Sequence, residues 1–261
     1  MTLRDAYLAR ISYDGPRTPT AEVLRALQER HLLSVPFENL DIHWKRPIVV
    51  DTERFLHKII EERRGGFCYE LNGAFAWLLR ELGFDVQYLS GRVPTRDGGI
   101  GPPFDHMALL VTIDGTRWLS DVGFGEFSLH PLEVDGDNGE FEIVQGDDEW
   151  EIRRNGELEY RFTLEPHELH EFAPMCDYQQ FDPRSHFTQR RICSIATPEG
   201  RITLAADVGQ ASACPSRGRQ AEACPTFAKL IVTRNGERTE TPVAAEEWEN
   251  VLRETFGIAP C

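Results

Sequence analysis

No stretch of this chain stays apolar for the roughly 18–20 residues that crossing a bilayer takes. The opening MTLRDAYLARISYDG is interrupted by Arg4, Asp5 and Arg10, so it lacks the apolar centre of a secretory signal. A cytoplasmic protein without a membrane partner is the expectation. Positive charge is also scarce: 28 Lys and Arg stand against 43 Asp and Glu, a formal charge of −15. A nucleic-acid partner would require a basic stripe, and this balance argues against one. The six cysteines, at 68, 176, 193, 214, 224 and 261, form no CxxC, and no pair of histidines is spaced to complete a zinc site. No metal is expected, and a cytosolic chain of this size is not held together by disulfides. What remains is whether one of these thiols is special.

What is present is ordinary globular material, 41% hydrophobic and 27% charged, in 261 residues. That length suits one large domain or two to three subdomains on a continuous core. The first third reads as helices. Thr18-Pro19 offers an N-cap and first helical position ahead of Val23, Leu24 and Leu27. Asp51 or Thr52 starts a second helix, which Gly65-Gly66 stops. A third runs from about Cys68 to Leu82, with Leu71, Phe75, Leu78 and Leu82 on one face and Gly83 as its cap. From Phe84 the period changes to two, and short strand-like runs alternate with turns, the strongest being Asp114-Gly115 and Asn155-Gly156. This reads as an antiparallel meander or small barrel. In the last third, RITL and LIVTRNGERTE read as strands and Ala245 to Phe256 as a closing helix. Between the two strands, residues 205–229 read as an extended loop or insertion.

Cys68 follows RRGGF at the first turn of a strongly patterned helix. There the helix dipole and nearby Arg63 and Arg64 favour a thiolate. The Asp114-Gly115 turn supplies a base. With a two-residue loop, Ile113 faces Thr116, and continuing that register places His106 opposite Gly123 and Ala108 opposite Asp121. His106 and Asp121 then share a face as diagonal neighbours, roughly 7–8 Å apart. A loop one residue longer would separate them. Nucleophile, base and orienter are the parts of thiol acyl transfer. Residues Arg96 to Pro103 (RDGGIGPP) precede His106, and the backbone N–H groups of Gly98, Gly99 and Gly101 are candidates to bind a pyrophosphate.

The segments RGGFCYELN (Arg64 to Asn72), FDHMALLV (Phe104 to Val111), DVGFG (Asp121 to Gly125) and VPFENLD (Val35 to Asp41) resemble, in order and spacing, those of the arylamine N-acetyltransferase family. The resemblance runs from about residue 5 to 205 and resumes at Leu230. It implies that Cys68 carries an acetyl group from acetyl-CoA to an aromatic amine or hydrazine, with His106 as base and Asp121 orienting it. It further implies that Phe37, Val93 and Phe124 line the acceptor pocket and that Glu38 and Arg64 form a buried pair supporting the loop before the cysteine. The implied fold is α+β: a helical bundle over 1–83, a β-barrel over 84–190 and an α/β lid over 191–261, around a thiol-protease-like Cys-His-Asp core. A homodimer is left open. Rival readings are an amide synthase of the same family, a cysteine hydrolase or transglutaminase-like enzyme, and a ligand-binding protein with a vestigial triad. The segment between Ala205 and Lys229, carrying Cys214, Cys224, Arg217 and Arg219, departs from the family pattern.

Overall fold

The structure is a computed structural model that describes residues 1–208 and 225–259. It opens with a helix not anticipated above, α1 (Leu3–Arg10). Next comes α2 (Ala21–Ser34), whose cap is Thr20 and not Thr18: the Thr20 hydroxyl accepts from the Val23 N–H at 3.4 Å. The shift places Val23, Leu24 and Leu27 in the buried face from the first turn onward. A two-residue strand, β1 (Phe37–Glu38), and a single turn, α3 (Leu40–His43), follow. Asp51 caps α4 (Thr52–Leu56), which continues into a π-helical turn, His57–Glu61. The central helix is α5 (Cys68–Glu81), and Gly83 ends its approach at φ +88°, where a Cβ would be strained.

Seven strands then form a nearly closed antiparallel barrel: β2 (Asp85–Arg92), β3 (His106–Ile113), β4 (Thr116–Ser120), β5 (Leu132–Glu133), β6 (Phe141–Gln145), β7 (Trp150–Arg154) and β8 (Glu157–Phe162), in the order β5-β4-β3-β2-β8-β7-β6. Asp114 (φ 50°) and Gly115 (φ 83°) are both left-handed, as a type I′ turn requires. The register is the anticipated one, with Ile113 opposite Thr116 and Leu109 opposite Ser120. Asn138 links the sheet's two ends. Its side chain exchanges hydrogen bonds with the backbone of Glu133, and its backbone bridges to Phe141. Alternation along β3 sends Met107, Leu109 and Val111 into the core shared with α5, and Ala108 and Leu110 into the barrel interior. By the same alternation His106 lies on the barrel side.

After the barrel come α6 (Ala173–Phe181), α7 (His186–Gln189), β9 (Arg190–Thr197), β10 (Gly200–Val208), β11 (Pro225–Arg234), β12 (Glu237–Val243) and α8 (Trp248–Phe256). The second sheet has the order β1-β9-β10-β11-β12. Two expectations change here, and one strand is added. RRICSIAT forms β9, which was not anticipated above. LIVTRNGERTE is not one strand but the tip of a hairpin, turned at Asn235 (φ 50°) and Gly236 (φ 82°). The expected loop at 205–229 is paired strand at both ends, with Ala205 opposite Lys229. Its remainder, with Cys214, Cys224, Arg217 and Arg219, lies outside the described residues.

The core centres on α5, where Leu71, Phe75 and Leu78 are fully buried. A Phe75→Ala variant is expected to lose about 3–5 kcal/mol of stability, the usual cost of emptying a buried aromatic site. The midpoint and slope of urea unfolding measure it.

Candidate active site

The turn before Cys68 is shaped by what its glycines permit. A Cβ on Gly65 would overlap the Pro36 carbonyl oxygen, and one on Gly66 would stand 2.6 Å from Glu70 Oε2. The chain therefore lies against β1, and the Glu38 N–H donates to the Gly66 carbonyl at 2.8 Å. Phe67 is extended, its N–H donates to Glu70 Oε2 at 3.2 Å, and the helix begins with Cys68, 3% exposed. This fixes the thiol at the amino end of α5.

The two other members of the expected constellation meet it. His106 Nε2 lies 2.7 Å from Asp121 Oδ2, and the Cys68 sulfur also acts on the imidazole. With Nε2 engaged by the carboxylate, Nδ1 is the nitrogen left for sulfur. Burial disfavours a charged imidazole, but the Asp121 carboxylate, its hydrogen bond and the Cys68 sulfur outweigh that and push His106 up to about 10. Asp121 is held by more than the histidine. Its Oδ1 accepts from Asn72 Nδ2 (2.9 Å) and the Gly123 N–H (2.8 Å), and its Oδ2 also accepts from the Tyr160 hydroxyl (3.1 Å). Burial and the Asp121 charge raise the Tyr160 phenol well above its ordinary range, which keeps its proton available to donate.

Asn72 and Tyr160 were not singled out from sequence. Asn72 carried a signal, since it stands four residues after Cys68 and so one turn along the same face of α5. From there its Oδ1 also accepts from the Val122 N–H at 2.9 Å. Tyr160 carried none, because β8 reaches the site only by pairing with β2, far away in sequence. Gly123 lets these parts approach: a Cβ there would stand 2.7 Å from both Cys68 Cα and Asn72 Nδ2.

Arg64 does not lend its charge to the thiol. Its guanidinium is buried against Glu38 (2.6 Å to Oε1) and Asp41. Lys58 completes the cluster, at 2.8 Å from Asp41 and 2.7 Å from Glu70. Arg63 is exposed. The amino end of α5 and His106 therefore supply the positive field at sulfur. Cys176 and Cys193 are buried, and burial raises both thiols. Cys68 differs from these two in having an imidazole partner.

Phe124 stacks edge-on to His106 at 5.1 Å between ring centroids, and Tyr160 and Phe127 extend the aromatic wall. Phe37 leans on Phe187, whose ring meets Phe67 edge-on at 5.5 Å. Val93, half-buried, packs with Phe124 on the barrel core. The expectation of free amides at Gly98, Gly99 and Gly101 does not hold. The segment closes on itself as a hairpin: Gly98 N–H donates to Thr95 O, Gly101 N–H to Val93 O, and Gly99 N–H faces Asp97 Oδ1 at 3.4 Å. The same loop does bring Arg96 to a cleft of about 870 Å³ that is also lined by Lys45, Arg46 and Arg190. Among the described residues no group of three or more His, Cys, Asp or Glu is arranged to hold a metal, and no helix is long and apolar enough to cross a membrane.

Comparison with known proteins identifies the family. A family model described as N-acetyltransferase matches residues 20–259. The arylamine N-acetyltransferase of Escherichia coli is 35% identical over 210 residues, covering 76% of this chain and 75% of its own length. Arylamine N-acetyltransferase 1 of Bos taurus is 32% identical, covering 75% and 78%. Among solved structures, the Nocardia farcinica arylamine N-acetyltransferase superposes with a TM-score of 0.82 at 30% identity, covering 99% of this chain and 90% of that one. The Salmonella typhimurium enzyme gives 0.82 at 27%, covering 99% and 92%. The chain belongs to the arylamine N-acetyltransferase family.

Proposed function

We propose that Cys68 carries the acetyl group as a thioester, that His106 moves the protons and that Asp121 orients His106, in a ping-pong transfer from acetyl-CoA to an arylamine or hydrazine. The observation that carries this reading is His106 itself, one nitrogen on Asp121 at 2.7 Å and the ring's proton favoured by both Asp121 and the Cys68 sulfur. With the proton already held on His106, the Cys68 sulfur attacks the carbonyl carbon of the donor thioester. The bond to the CoA sulfur breaks, and His106 returns the proton to that leaving thiolate. In the second half, the amine nitrogen attacks the Cys68 thioester. His106 takes a proton from the nitrogen, and the new amide leaves as the Cys68 sulfur is released. Phe37, Val93 and Phe124 suit a flat aromatic acceptor, and the aromatic wall beside His106 shields the thioester from water.

Cations, not glycine amides, suit the phosphate-bearing end of CoA. Lys45, Arg46, Arg96 and Arg190 outnumber the carboxylates Asp41 and Asp207 in the cleft, against a chain charge of −15. The division into 1–83, 84–190 and 191–261 belongs to the same reading. It is supported by the separate cores of the barrel and of the second sheet.

Incubation with acetyl-CoA is expected to add one acetyl group on Cys68, seen by peptide mass spectrometry, which an arylamine then removes. Cys68→Ala is expected to remain folded and lose transfer altogether; a variant that still acetylated an arylamine would sink the mechanism. Arg96→Ala should raise the KM for acetyl-CoA about fivefold, the worth of roughly 1 kcal/mol. It should leave acylation of Cys68 by p-nitrophenyl acetate, which has no phosphate, unchanged.

The raised His106 predicts a pH effect on stability. Because its folded value, about 10, lies above the ordinary 6.5, its contribution is complete below about pH 6.5 and is withdrawn as pH rises through about 10. The stability difference between the wild type and His106→Asn, from urea unfolding, should shrink across that window. A difference that stays constant from about pH 6 to about pH 10 would contradict the charged imidazole.

A further inference from the structure

Glu70 is the third residue of α5 and 2% exposed, with a different donor on each oxygen. Oε2 accepts from the Phe67 N–H at 3.2 Å, immediately before Cys68, and Oε1 accepts from Lys58 Nζ at 2.7 Å. Lys58 has other carboxylates to turn to, Asp41 at 2.8 Å and Glu38 at 3.6 Å. For the Phe67 N–H, Glu70 is the acceptor. We propose that Glu70 is a positioning residue for the nucleophile, a strap between the entrance of α5 and Lys58 that holds only while both carboxylate oxygens accept. This rests on Cys68 as the acyl carrier.

The chemistry of the strap makes it sensitive to protonation. Both partners are donors, and a carboxylate offers an acceptor to each. A protonated acid puts an O–H, and a glutamine an NH2, where one of these oxygens accepts, so one partner loses its strong acceptor. The groups facing Glu70 are Lys58 on the π-helical turn, Glu38 on β1, Asp41 on α3, Arg64 before the glycines and Cys176 on α6. With Arg46 and Glu62, which join through Asp41 and Arg64, four carboxylates share three cations there, leaving the cluster one positive charge short. Burial, reinforced by Glu38 and Asp41 and only partly offset by Lys58, pushes Glu70 up to about 7. A cleft of about 800 Å³ lined by Arg46, His57, Lys58, Glu62 and Glu70 gives protons a path. The strap therefore tightens as pH rises through neutrality.

The test is the rate of Cys68 acetylation by acetyl-CoA, followed by quenched-flow mass spectrometry from about pH 5.5 to about pH 8.5. The wild-type rate is expected to rise through a step near pH 7. Glu70→Gln should lack that step and run about tenfold slower at the alkaline end, whereas Glu70→Asp, which keeps two acceptors, should restore the step at a reduced rate. Hydrogen exchange of the Phe67 amide in the unmodified protein, corrected for its intrinsic pH dependence, should quicken below the same pH. Wild-type rate and profile in Glu70→Gln, no step in Glu70→Asp, or exchange without a break near pH 7 would each overturn the strap. A wild type that forms no acetyl-Cys68 at any pH would instead overturn the nucleophile assignment beneath it.

Discussion

Asp121 is a carboxylate with 1% of its surface exposed, and its oxygens collect hydrogen bonds from His106, Asn72, Gly123 and Tyr160. A charge so far from water is tolerable only with its donors in place, and stripping one partner from such a buried pair typically costs about 3–5 kcal/mol. Those donors come from β3, α5, the chain after β4 and β8, so the assembled site and the assembled barrel are one condition. The same four bonds leave Asp121 no freedom to turn, and that fixes the ring of His106 and hence the nitrogen shown to sulfur.

Two buried charge systems flank the first turn of α5. On the barrel side stand His106 and Asp121, whose charges match. On the other side stand Lys58, Arg64, Glu38, Asp41 and Glu70, whose charges do not. Cys68 lies between them at the helix end, where backbone N–H groups are unspent. The matched pair fixes the imidazole, and the unmatched cluster shapes the loop that delivers the thiol. Arg64 thus acts through structure, by fixing where the chain turns, and Arg63 stands exposed outside the cluster.

Much of this was legible wherever local rules decide the outcome. Asp114-Gly115 dictates a two-residue turn because both residues accept positive φ, and that alone sets the register that brings His106 and Asp121 to one face. The apolar spacing from Leu71 to Leu82 gave α5, and with it the place of Cys68. Misreadings occurred where distant partners decide. Phe37–Glu38 is too short to announce itself as a strand and exists because β9 and Gly66 pair with it. Arg190 and Arg191 disguised β9, and the glycines at 98, 99 and 101 looked free because sequence does not show that Thr95, Val93 and Asp97 engage them. Tyr160 became part of the site through a strand pairing that no spacing rule reports.

The position of β1 has a consequence for how the molecule comes into being. Phe37 and Glu38 pair with Ser194 and Cys193, while Phe37 and Glu38 also bind Gly66 in the turn before Cys68. During synthesis the thiol's helix leaves the ribosome long before β9 does. Until β9 arrives, the loop in front of Cys68 lacks the strand that β1 pairs with, although α5 can already coil. The helix that bears the thiol can thus form well before the sheet that frames its entrance, and a chain cut short of β9 holds its cysteine without that frame.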